Sequence, residues 1–267
     1  MTFRSRSLLV ALALVVAAGA MAAEPDPVAS ARASNRLGLQ AILDGRLVEA
    51  LDHLDTARRH LDQASDERRP ADLDAAIVHN QAATFLRLGW LDEARDALER
   101  TLVLYQRDGA SAADRASTWL QLARVERLGR RIPQAREAIT RALALDRSTA
   151  PEHRAPLLEE AAWVAAVERR VDDAESHLRD ALSGYEASGD AAHALARADL
   201  EADLAELALR RREPFEALQH LARAGSWSRR ADRPSADLEA HRQHLRSRAY
   251  AALGDLATAR LAADAGL

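Results

Sequence analysis

The chain has 267 residues, 48% of them hydrophobic but only 4% aromatic, so most of its apolar content is Ala and Leu, the material of closely packed helices rather than of a sheet. It carries 37 basic and 41 acidic residues for a net charge of −4, no Cys and, since every cation is Arg, no Lys. These totals exclude disulfides, thiolate metal sites, Cys nucleophiles, Schiff-base lysines and phosphate-binding P-loops, and they weigh against nucleic acid as a ligand.

Residues 1–22 read as an export signal. Arg4 and Arg6 precede an uncharged apolar run from Leu8 to Ala18, and small residues end the stretch at Ala20-Met21-Ala22. Cleavage is expected after Ala22 or Ala23, leaving a short linker over 23–29. The alternative is an uncleaved anchor, because the uncharged stretch from Ser7 to Ala23 lies at the short end of a membrane span. Only in that case is membrane attachment expected. Either reading places the remainder in an exported compartment, most simply a bacterial periplasm.

From residue 30 onward the chain repeats itself. The segments at 43–57, 87–101, 128–142, 168–181, 210–224 and 252–266 align on a small residue early in a helix: Ala50, Ala94, Ala135, Ala174, Ala217 and Ala259. These alanines are 44, 41, 39, 43 and 42 residues apart. Four residues further on stand Leu54, Leu98, Ile139, Leu178, Leu221 and Ala263, and three beyond those come Ala57, Thr101, Ala142, Ala181, Ala224 and Gly266. Spacings of four and three place the three positions on one helical face, where the small residues admit a neighbouring helix. An earlier helix precedes each of these, marked by Leu37-Gly38, Gln81-Ala82, Leu122-Ala123, Ala161-Ala162, Leu204-Ala205 and Arg246-Ser247. Polar or turn-forming stretches such as 66–73, 107–115, 146–154, 187–194 and 231–238 separate the copies.

This pattern resembles the tetratricopeptide repeat family, most closely at Leu37-Gly38 and at WLQLA (119–123), with Ala-x3-Leu or Ala-x3-Ile recurring in five copies. The spacing is similar to that of longer-period variants; the final Pro of the family pattern is missing, and Leu or Ala fills most of its aromatic positions. The resemblance implies an all-α fold, an α-α superhelix of about six helix pairs over 30–267, stable only through stacking of neighbours. It also implies a concave groove, lined by the earlier helices, that holds a protein or peptide. The candidate lining is Asn35, His79, Asn80, Arg87, Arg124, Arg127 and Trp163, flanked by Glu159, Glu206, Arg210, His241 and His244. In the family segment that NQAA (80–83) resembles, an Asn bonds a peptide backbone, and the three arginines have the fork geometry for a carboxylate. Trp163 reads either as core filler or as an anchor, and the arginines either as a solvated face or as a carboxylate site. The lysine-dependent clamp of some relatives cannot be built here.

No catalytic motif is visible: there is no G-x-S-x-G, no H-E-x-x-H and no P-loop. His241-x-x-His244 lacks a third metal ligand, and the Glu159-Glu160 pair suggests acid/base work only in a cleft. No cofactor, metal or catalytic residue is therefore expected. The reading is a non-catalytic scaffold or adaptor of the cell envelope. The alternatives are a self-assembling component, a homo-oligomer through an uncapped last repeat, and an envelope-polymer-binding module.

Overall fold

The computed structural model describes residues 26–65, 68–108, 110–146, 151–187, 193–231 and 235–266. The stretch read as an export signal lies outside them. Among the described residues the chain forms twelve α-helices and no strand. No described helix is long and apolar enough to cross a membrane.

Two compact units divide within one helix, between Ile77 and Val78. The first contains α1 (Pro27–Leu43), α2 (Leu47–Asp62) and the start of α3 (Ala71–Leu88). Asp26 caps α1 by accepting from the Val28 N–H, and Pro27 supplies the fixed φ favoured at a first helical position. Two apolar clusters hold this unit. One gathers Ala41, Ile42, Ala50 and Leu54, and the other Ala31, Ala57, Leu61, Leu73 and Ile77.

The second unit runs on through α4 (Leu91–Asp108), α5 (Ala112–Leu128), α6 (Ile132–Leu145), α7 (Pro151–Val167), α8 (Val171–Ala187), α9 (Ala194–Arg210), α10 (Pro214–Ser228), α11 (Ala236–Ala252) and α12 (Leu256–Asp264). Three apolar clusters overlap along it. The first joins α3 to α7, the second α7 to α9, and the third α9 to α11. Burial is heaviest in α9, where ten of 17 residues are buried, against five of 15 in the later helix α10 and four of 17 in the earlier helix α11.

The six marker alanines occupy one structural position. Each is the fourth residue of the later helix of a pair, and each N–H makes that helix's first intrahelical bond. Five of the six have no exposed surface, and Ala259 has little. The apolar residues four positions on, Leu54 through Leu221, are buried, as are Ala57, Thr101, Ala142, Ala181 and Ala224. Thr101 fits among alanines because its hydroxyl donates to the Ala97 carbonyl at 2.9 Å. In α12 the face drifts: Ala262 is buried and Ala263 exposed.

Each pair is joined by one turn geometry. Five residues before the marker alanine stands a residue with positive φ: Gly45, Gly89, Arg130, Arg169, Arg212 and Gly254. The residue after it donates its N–H to a carbonyl five positions back at 2.8–3.0 Å in every case, closing a Schellman-type cap. Three turns place Arg where the others use Gly, which the sequence pattern did not announce. A left-handed conformation is unfavourable for a residue with a Cβ, and the three arginines make no ion pair among the described residues. Arg169→Gly, Arg130→Gly and Arg212→Gly are each expected to raise the unfolding free energy by about 0.5–1 kcal/mol in urea denaturation, and Gly89→Ala to lower it by a similar amount.

Candidate functional site

The earlier helices of the second unit bring α5, α7 and α9 together around Trp163. Trp163 packs its ring against the α7–α9 cluster, with the Asp203 carboxylate close by. The guanidinium carbons of Arg127 and Arg210 each lie 6.0 Å from its ring centroid. Trp163 is thus both a packing residue and the centre of a charged cluster.

Arg127 is engaged within the fold. Its Nε and Nη2 donate to the two oxygens of Glu160 at 2.6 and 3.1 Å, and Arg124 Nε stands 3.7 Å from the same carboxylate. The carboxylate fork expected of a ligand is here made by a neighbouring helix. Glu160 is almost wholly buried, as are Glu126 and Glu201, and each has an arginine partner. Arg131 bonds Glu126, while His220 Nδ1 at 2.6 Å and Arg223 Nε at 3.2 Å share Glu201. The fold neutralises the carboxylates that it hides.

It does not neutralise three others. Glu159, Asp199 and Asp203 have no ion-pair partner among the described residues. Burial, together with the like charges of Glu159, Asp199 and Glu206, holds the Asp203 carboxyl well above its ordinary value of 3.8. Glu159 and Asp199 are also raised, chiefly by burial, with opposing attraction from Arg124 and Arg127 on Glu159 and from His241 on Asp199. Glu159 and Asp203 are partly buried; Asp199 is exposed as a whole residue, and its carboxyl is raised by the protein packed around it. Asp199, Asp203, Glu206 and Arg210 are spaced by four, three and four, which places them on one face of α9. The first two were missed in sequence, although that spacing from Glu206 was the signal that leads to them.

The remaining candidates spread out. His79, on α3, sits 3.3 Å through Nδ1 from the Thr118 hydroxyl of α5, and burial lowers its pKa. Asn80 is half-buried one residue on and Arg87 is exposed at the end of the same helix; both are engaged by neighbouring groups. Asn35 belongs to the first unit, half-buried on α1. Among the described residues no three His, Asp or Glu side chains gather in a metal-binding group.

No protein-family model and no curated protein matches the sequence. Solved structures do match. BtubC from P. vanneervenii superposes with a TM-score of 0.65 at 19% identity, covering 84% of this chain and 89% of that one. TTC0263, a tetratricopeptide-repeat protein of Thermus thermophilus, gives 0.57 at 23% identity over 84% of this chain and 98% of its own. NprR in complex with its cognate peptide NprX gives 0.69 at 13% identity over 97% of this chain and 73% of that one. The chain therefore has the all-α tetratricopeptide-repeat fold.

Two outcomes follow from the charge pattern. Glu160→Gln, which weakens a buried bidentate pair, is expected to cost about 2 kcal/mol in chemical denaturation. Asp203→Asn is expected to do the opposite. A raised folded pKa means that the native state holds the proton more tightly, so Asp203 begins to cost stability as the pH rises above the ordinary value and costs it in full once the pH has passed the raised one. At pH 7 the variant should gain about 1 kcal/mol, and the gain should vanish below the ordinary value of 3.8.

Proposed function

We propose that the chain is a non-catalytic scaffold that binds a protein or peptide segment in the groove of its second unit, and that the segment presents a cation. The observation that carries this reading is the contrast between carboxylates. Glu126, Glu160 and Glu201 are hidden and paired with arginine, whereas Glu159, Asp199 and Asp203 stand near one another on α7 and α9, close to Trp163, without an ion pair among the described residues. A lysine, an arginine or an amino terminus from a ligand would supply the missing charge and relieve their mutual repulsion, with Trp163 offering an aromatic surface beside it. NprR, which shares the fold, is a protein solved with its cognate peptide.

The compartment belongs to the same proposal. Arg4 and Arg6, the apolar run from Leu8 to Ala18 and the small residues before Glu24 support export into a bacterial envelope. A second reading, self-association, is favoured by the exposure of Leu261 on α12. Light scattering at high concentration distinguishes the two, since the scaffold reading needs only a monomer.

The groove reading is tested by selecting random peptides on the full chain by display. Sequences with Lys or Arg at one position should be enriched, and Asp203→Asn or Glu159→Gln should weaken a selected peptide by about tenfold or more. Binding should also fall as the pH drops toward the raised pKa values of these carboxyls, at a higher pH than ordinary carboxylates would give. Enrichment of acidic peptides, or unchanged binding by both variants, would count against the reading.

A further inference from the structure

The turns of the second unit share a surface composition that the groove does not explain. At each of its five turns one large apolar side chain is exposed: Trp90, Leu128, Val167, Phe215 and Leu256, at 48, 51, 46, 70 and 71%. Trp90 precedes α4, Leu128 and Val167 close α5 and α7, and Phe215 and Leu256 stand in the first turns of α10 and α12. Elsewhere in that unit the exposed large apolar side chains among the described residues are Val103 and Leu261. Trp90 also stacks on Phe85 at 5.8 Å between ring centroids; singly exposed apolar side chains are ordinary, and the pattern here is their recurrence at every turn.

The same turns carry cations. Arg130, Arg169 and Arg212 are exposed, hold the left-handed conformation and make no ion pair among the described residues. Their neighbours are different. Arg131 pairs with Glu126 and with Asp92, Arg170 with Glu168 at 2.9 Å and Asp173 at 2.8 Å, and Arg211 with Asp172 and Glu175. These neighbours answer nearby carboxylates, while Arg130, Arg169 and Arg212 have no ion pair among the described residues; of the acidic residues at the same turns, Glu213 and Asp255 are likewise without one. Gly fills the same position in the other turns without strain, yet three successive turns retain a strained Arg, as residues do where the side chain has a role beyond the fold.

Apolar side chains with one end in contact with hydrocarbon, interleaved with guanidinium groups that fork onto phosphate, are the composition of a surface lying at a lipid headgroup layer. A protein partner is less well served, because its contacts concentrate in a central packed cluster, whereas here the apolar groups are dispersed along the edge. We propose that the turn edge of the second unit docks on an anionic phospholipid bilayer, with Trp90, Leu128, Val167, Phe215 and Leu256 at headgroup depth and Arg130, Arg169 and Arg212 on lipid phosphates.

The test uses the full chain and vesicles containing phosphatidylglycerol whose acyl chains are brominated just below the headgroup, so that quenching reports contact of the edge itself. Wild-type tryptophan fluorescence should fall on these vesicles, less on purely zwitterionic ones and less in high salt. Trp90→Phe should lose most of the fall. Replacing all three arginines together, Arg130→Gly, Arg169→Gly and Arg212→Gly, keeps the turn geometry and should raise the lipid concentration for half-quenching roughly a hundredfold, at about fivefold per arginine. Equal quenching by the triple variant, or quenching that survives Trp90→Phe, would overturn the proposal. So would a wild type that is not quenched but binds polyglutamate through these arginines, which would assign the edge to an acidic protein.

Discussion

Between the two helices of each pair the chain reverses within three residues, and the rods must then approach closely enough to share a face. Two devices at fixed separation make this possible: a left-handed residue that closes the first helix through a Schellman-type cap, and, five residues later, an alanine with almost no volume at the crossing point. The remaining geometry depends on this pairing. It fixes which residues of the later helix face inward, and in α9 it leaves an earlier helix buried at ten of its 17 residues.

The later helices were legible in sequence because small, large and small residues recur at spacings of four and three, and each later helix has one buried face. The earlier helices were harder. In α9, packing on several sides mixes Arg197 and Glu201 with buried Ala and Leu, so no single stripe marks the face toward the groove. Trp163 and Arg127 were visible as residues of interest, but the partner that occupies Arg127, Glu160, comes from another helix 33 residues on, and nothing local signals it. The turn residues show the opposite failure. Glycine advertises a left-handed turn at Gly45, Gly89 and Gly254, while Arg130, Arg169 and Arg212 adopt the same conformation under pressure from the helices on either side, against their own preference.

The unpaired carboxylates and the strained arginines are the places where this chain departs from what stability alone would select. Both are polar features that the fold tolerates at a cost spread over many alanine-mediated contacts. Proteins commonly carry such departures where a surface serves binding, and a repeat architecture absorbs them because each pair is supported by its neighbours. The two features lie on different side chains of the second unit, one set near Trp163 and one along the turns, so a peptide and a bilayer would not compete for the same groups.

The central claim is that close approach at the marker alanines holds the helix pairs together. It is tested most directly by comparing Ala174→Leu, at a fully buried marker, with Ala222→Leu, at an exposed position of α10, in equilibrium urea denaturation. Overpacking should cost the first variant about 1–3 kcal/mol while the second stays within about 0.5 kcal/mol of wild type. Equal stability of the two variants would contradict the account.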